Sequence, residues 1–258
     1  MSKIPIGLEL YSVRDVLKDD PRGTLKAVAE MGYDGVEFFG APNYDPAELR
    51  GYCDEFGLEV CGWHTPYTHV QDDMLESTIA FNKTLGNNRI IIPMLPAEYR
   101  QSLDDWRKFG VFLSELADKL EPHDMVTGYH NHNMEFEELD GGIPWFALFD
   151  TASDKVIAQL DNGHAFRAGA DVVAAIKRYP GQAKTVHLKP YSRTLGKDDP
   201  HRGYDPVIGQ DEVPWEPFFA ACESVGGTEW YIVEYESDVM SSLEAVKQCV
   251  DALRAMGK

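Results

Sequence analysis

The chain has 258 residues, with 24 Lys and Arg against 43 Asp and Glu, a formal net charge of −19 at pH 7. So acidic a balance excludes a general nucleic-acid binder, whose phosphate contacts need cations, and excludes docking on an anionic membrane face. Hydrophobic residues at 43% and charged residues at 26% are ordinary globular usage, which sets aside a disordered chain.

Taken in order, short apolar runs at 6–12, 35–39, 58–64, 89–95, 125–131, 155–161, 184–189 and 230–236 alternate with segments of helical period. The helical segments lie near 21–31, 45–56, 72–85, 101–120, 142–151, 171–179, 214–225 and 241–256. Pro21 and Pro46 each follow an aspartate able to cap, where a first helical turn tolerates proline. Gly32 and Gly57 close helices just before the next run, and Leu243, Val246, Val250 and Leu253 mark one face of the last helix. Ile90, Ile91 and Ile92 form a continuous apolar run, as a strand covered on both faces requires. Strand followed by helix, eight times over, predicts a single (β/α)8 TIM barrel, one α/β domain over residues 1–258. An open doubly wound sheet is disfavoured, because no Gly-x-Gly-x-x-Gly follows the first strand and polar residues recur at the strands' C-terminal ends. The stretch from Pro190 to Pro214 has little apolar periodicity and is expected to be a lid or binding loop after the seventh strand.

Cys53, Cys61, Cys222 and Cys249 are scattered without paired spacing, which predicts reduced, buried thiols in a cytoplasmic protein. No run approaches the ~20 apolar residues of a spanning helix, and no signal peptide is expected.

Asp161, His187 and Glu234 each stand at or near the C-terminal end of a different predicted strand, behind apolar residues. In a barrel such positions converge on one mouth. Carboxylates and an imidazole meeting there would repel or desolvate one another unless a cation lay between them, and an oxygen-rich set with one imidazole suits Mn²⁺, Mg²⁺ or Zn²⁺. The bland alternative is separate hydrogen bonds at strand ends; three equivalent positions count against it. The fifth strand adds His130 and His132, two residues apart and so on one side, with Glu135 just beyond. His64 ends the third strand and is expected at the same mouth. His164 is expected to open a helix, with a role in supporting a ligand, in binding substrate or in capping, and Glu37 to be a substrate contact or a buried structural carboxylate.

Several motifs together resemble the xylose isomerase-like TIM barrel superfamily. They are Gly7-Leu-Glu-Leu-Tyr-Ser-Val-Arg-Asp15, Gly32-Tyr-Asp-Gly-Val-Glu37, His130-Asn-His-x-x-Glu135, Leu160-Asp-x-Gly-His164, Val186-His-Leu-Lys189 and Ile232-Val-Glu234. The resemblance spans nearly the whole chain and is specific for fold and metal site, less so for substrate. It implies a metal held by a strand-five carboxylate together with Asp161, His187 and Glu234. Much of that superfamily has a Glu-Asn-His motif on strand five; here direct alignment puts His130 at the glutamate's position. The reading adopted takes Glu135 as the ligand and His132, His130, Glu234 and Lys189 as the catalytic set, with His130 as ligand the alternative. Glu37, His64 and His164 are assigned to substrate. A Gly-Glu-Gly after strand seven is replaced by Gly209-Gln-Asp211.

The activity implied is a metal-dependent sugar isomerase or epimerase that removes a proton next to a carbonyl, with a dehydratase or lyase acting on a keto-sugar, keto-glycoside or inosose as runner-up. A binding protein without turnover is the reading from another class; a full ligand set with candidate bases argues for an enzyme. The expected partner is a small sugar or polyol, with no nucleic acid and no membrane, and with homo-oligomerisation left open. Arg193, Lys197 and Arg202 are read as a solvated loop, not as a phosphate site.

Overall fold

The computed structural model describes residues 3–41 and 43–258. Eight strands form one parallel sheet: β1 (Ile6–Glu9), β2 (Gly35–Phe39), β3 (Glu59–His64), β4 (Arg89–Ile92), β5 (Val126–His130), β6 (Ile157–Gln159), β7 (Thr185–Leu188) and β8 (Trp230–Val233). Neighbours in sequence are neighbours in space, and β1 pairs with β8, so the sheet curls round on itself. Between β6 and β7 the seam is irregular. There the backbone N–H of His187 donates to the carbonyl of Leu160 at 2.9 Å, and Asp161 bridges to His187. The result is a nearly closed TIM barrel with helices between its strands.

The helices are α1 (Arg14–Leu17), α2 (Pro21–Glu30), α3 (Pro46–Phe56), α4 (Asp72–Leu85), α5 (Leu103–Leu120), α6 (Pro144–Phe149), α7 (Asn162–Arg167), α8 (Val172–Arg178), α9 (Trp215–Ala221) and α10 (Ser242–Ala255). Local chemistry sets their starts. Asp20 and Asp45 accept backbone N–H bonds ahead of Pro21 and Pro46, and Ser102 with Asp105 makes a reciprocal cap on α5. Gly57 and Gly86 stop α3 and α4 in the left-handed conformation that glycine adopts without strain.

Several predicted strands overran. The first ends at Glu9, because Leu10 and Val13, three apart and both buried, pack as one 3-10 turn and not in alternation. The fourth stops before Pro93, which has no N–H for a ladder. The last ends at Val233, leaving Glu234 just past the sheet. Helix α1 was not predicted as a separate element, and α7 is the helix expected to open at His164. The stretch 190–214 holds 3-10 turns at Leu195–Lys197 and Pro200–Tyr204 and buries Tyr191, Tyr204, Val207, Ile208 and Val213. It is a packed segment, which apolar periodicity alone could not disclose. All four cysteines are free and buried. Among the described residues no helix is long and apolar enough to cross a membrane.

Candidate active site

Strand alternation sends every second side chain into the barrel, and the last inward position of each strand lies at its C-terminal end. Glu9, His64, His130, Gln159, His187 and Glu234 occupy such ends or the residue beyond, Glu37 lies one inward position deeper on β2, and all are buried. Glycine makes one of these fits: a Cβ at Gly62 would collide with the Glu37 carboxylate.

His187 is at the centre. Its Nδ1 lies 2.7 Å from Glu234 Oε2 and its Nε2 2.6 Å from Glu37 Oε2. Burial opposes a charge on this ring, yet Glu37 and Glu234 push its pKa up to about 10. Burial also works against ionised Glu37, but His64 and His187 hold it at about 2. Gln159 completes that corner, accepting from His64 Nε2 at 2.8 Å and donating to Glu37 Oε1 at 3.0 Å and Thr185 Oγ1 at 2.9 Å. On the other side Lys189 Nζ reaches Glu234 Oε1 at 3.0 Å and Glu236 Oε2 at 2.6 Å. Against the cost of burial, Lys189 and His187 hold Glu234 well below the usual carboxylate range.

Asp161 caps α7, Oδ1 accepting from the His164 N–H at 2.7 Å, while its buried Oδ2 has no partner. Burial pushes its carboxyl up to about 7 despite Lys189 nearby. The His130 ring lies 4.5 Å from that of His187, and its Nδ1 is likewise buried without a partner. His130, Asp161, His187 and Glu234 each offer a ligand atom, all within 4.8 Å of one another. Two imidazoles and two carboxylates, with an orphaned oxygen and an orphaned nitrogen among them, fit a divalent cation. Glu37, behind His187, is then the carboxylate that orients the ring of a metal-ligating histidine.

Glu135 is not in that group. It lies in the turn Met134–Phe136, where Oε1 accepts from the Tyr129 hydroxyl at 2.7 Å and Oε2 from the His132 backbone N–H at 2.8 Å. Tyr129 alternates away from the barrel interior that His130 faces, and Glu135 follows it, so strand five contributes His130 to the four-donor group.

A cavity of about 280 Å³ borders the group and is lined by Glu9, His64, His130, His132, Glu234 and Glu236, with Tyr11, Phe39, Pro93 and Met94 as its apolar part. Burial draws the His132 imidazole down to about 4, which leaves it neutral at pH 7, and its Nδ1 has no partner. Two residues assigned to substrate do not line this cavity. Glu37 sits behind His64 and His187 in a closed set of hydrogen bonds, and His164 lies behind His132, its Nδ1 2.8 Å from the Tyr204 hydroxyl. His64 does line it. Sequence reasoning passed over Glu9, Gln159, Glu236 and Tyr204. Glu9 escaped the strand-end rule because the first strand was expected to run on to residue 12, and nothing local marks Tyr204, which arrives from the long segment.

The model of the xylose isomerase-like TIM barrel family matches residues 25–256. The chain belongs to this family. Among the family's curated relatives, the inosose dehydratase of Lacticaseibacillus casei is 27% identical over 256 residues, covering 83% of this chain and 82% of that protein. A sugar phosphate isomerase/epimerase from Parabacteroides distasonis superposes with a TM-score of 0.81 at 22% identity, over 96% of this chain and 97% of that one. The probable 3-DHS dehydratase AsbF from Bacillus anthracis superposes with a TM-score of 0.74 at 14% identity, over 97% and 98%. At those identities the two structures speak for the fold. Curated relatives carry the name inosose dehydratase, and structural neighbours carry isomerase/epimerase and dehydratase names.

Proposed function

We propose that the protein is a divalent-metal-dependent lyase of the dehydratase kind, acting on a keto-sugar or on a polyol-derived ketone such as an inosose. His130, Asp161, His187 and Glu234 would hold the cation. Bound there, it would polarise the substrate carbonyl and so acidify the neighbouring C–H.

The observation that carries the reading is the neutral, unpartnered imidazole of His132 on the wall of the cavity that borders the four donors. His132 takes the proton from the carbon next to the carbonyl. The electron pair left behind forms the double bond to the next carbon as that carbon's C–O bond breaks. The imidazolium returns its proton to the departing oxygen, which leaves as water or an alcohol, and His132 is neutral again. Lys189 and His187 fix the Glu234 carboxylate, while Glu37 and Gln159 fix His187 and His64.

Isomerisation or epimerisation begins with the same proton transfer and is the second reading. It asks for another group to return the proton to carbon. Glu234, the carboxylate expected for that task, has Oε2 on His187 and Oε1 beside Lys189, so both of its oxygens are already engaged. Elimination is therefore placed first, reversing the order reached from sequence. Incubation with inososes and keto-sugars in D₂O with Mn²⁺ decides between them. Loss of the β-oxygen supports the lyase; deuterium beside the carbonyl in an otherwise intact product supports the isomerase.

A further inference from the structure

Glu9 takes no part in that chemistry, yet it is the least satisfied group in the barrel. It ends β1, pairs in register with Glu37, lines the cavity and is fully buried, and no donor completes a well-formed hydrogen bond to either oxygen, the Glu37 carboxyl and the Tyr11 N–H being its polar neighbours. The other carboxylates around the cavity are engaged: Glu37 by His187 and Gln159, Glu234 by His187 and Lys189, Glu236 by Lys189, and Asp161 through one oxygen by the His164 N–H. The nearest imidazole atom, His64 Nδ1, is 3.9 Å from Glu9 Oε1, beyond hydrogen-bond reach. Leaving a buried carboxyl without partners costs its whole desolvation, and a buried polar group in that state asks for a partner that the chain itself does not supply.

A cation is one such partner, since Glu9, Glu37, His64 and His187 also bring ligand atoms together. Their lone pairs argue against it. Both Glu37 oxygens already accept, His64 Nε2 is turned to Gln159, and His187 belongs to the four-donor group as well. A hydroxyl is the better match, because it accepts from or donates to a carboxyl in either protonation state. Resting on the lyase reading above, we infer that Glu9 is a specificity-determining residue that hydrogen-bonds one ring hydroxyl of the substrate. It thereby selects a fully hydroxylated ring over the analogue lacking that one oxygen. A site built around a hydroxyl rejects its deoxy analogue strongly, because the buried polar group is again left unpaired.

The test uses the full chain loaded with Mn²⁺, with inositols (the reduced, unreactive form of inososes) and their monodeoxy series as calorimetric probes. The wild type should lose about tenfold to a hundredfold in affinity for one deoxy isomer. Glu9→Ala should bind that isomer and its parent equally, with Mn²⁺ content unchanged. Glu9→Gln keeps the volume and guards against a folding defect; its amide cannot accept through both arms, so the deoxy penalty should shrink while Tm holds. An unchanged pattern of deoxy penalties in both variants overturns the inference, as does loss of one equivalent of Mn²⁺, which would make Glu9 a cation ligand. If the wild type binds no inositol and converts no inosose or keto-sugar, the lyase reading falls and this inference with it. If it converts an inosose and the Glu9 variants keep its KM, Glu9 alone is refuted.

Discussion

The two ends of the barrel handle charge in opposite ways. At the N-terminal ends of the strands, Arg89 and Lys184 meet Glu229 at 2.6 and 3.1 Å, and Arg254 meets Asp34 at 3.0 Å. The Glu229 side chain there is 45% exposed, so water shares the work of solvating it. At the C-terminal ends, Glu9, Glu37, Asp161, His187 and Lys189 are buried, packed against one another, and left with orphaned atoms at Glu9, His130, His132 and Asp161. Exposed pairs contribute little, about 0–1 kcal/mol each, whereas buried charge is costly and incompletely solvated unless something else enters. One rim tolerates change; the other is kept in an expensive arrangement that a cation and a substrate would complete.

Substitutions at the mouth should sharpen that contrast most. Asp161→Ala removes the donor with the orphaned oxygen and should abolish stoichiometric Mn²⁺ binding in metal analysis. Turnover should fall by more than about 10²-fold, since even partners outside a metal's own ligands cost 10–100-fold. His132→Gln should keep the metal and lower the single-turnover rate by roughly 10²–10⁴-fold; a variant that loses its metal instead would make His132 a ligand. Glu37→Gln leaves the ligands in place but loosens the ring of His187, and titration should read a metal affinity weaker by about 10–100-fold. Glu135→Ala should retain metal and lose stability, by about 1–3 kcal/mol in denaturant unfolding, because the Tyr129 hydroxyl and the His132 N–H lose their acceptor. Metal loss in that variant would restore Glu135 to the ligand set. Lys184→Ala, at the opposite rim, should change stability by less than about 1 kcal/mol and leave turnover alone; an effect as large as those at the mouth would break the comparison.

The barrel was legible because each strand and helix carries its own period and punctuation. The helix expected at 72–85 is Asp72–Leu85, and Asp20, Asp45 and Gly57 act where their chemistry requires. Strand ends were read less well. Apolar runs continue past the ladder at Leu10 and beyond Val233, since a rim turn buries such residues as readily as a strand does. Asp161, His187 and Glu234 were found from position alone, and the structure brings them together with His130.

Strand five marks where sequence stops. Local pattern puts His130, His132 and Glu135 within six residues and cannot say which of them turns inward, because that depends on where the ladder ends and the chain bends. The strand ends at His130, and the turn that follows sends the Glu135 carboxylate back to the Tyr129 hydroxyl. The alternation of apolar runs and helical segments determined the eightfold barrel and the end at which its polar residues gather, since period and capping are properties of neighbouring residues. The partners of each charge were decided by contacts across long separations, such as His187 with Glu37 and Gln159 with His64. No local rule reaches that far, and those contacts exist only once the barrel has brought the strand ends together.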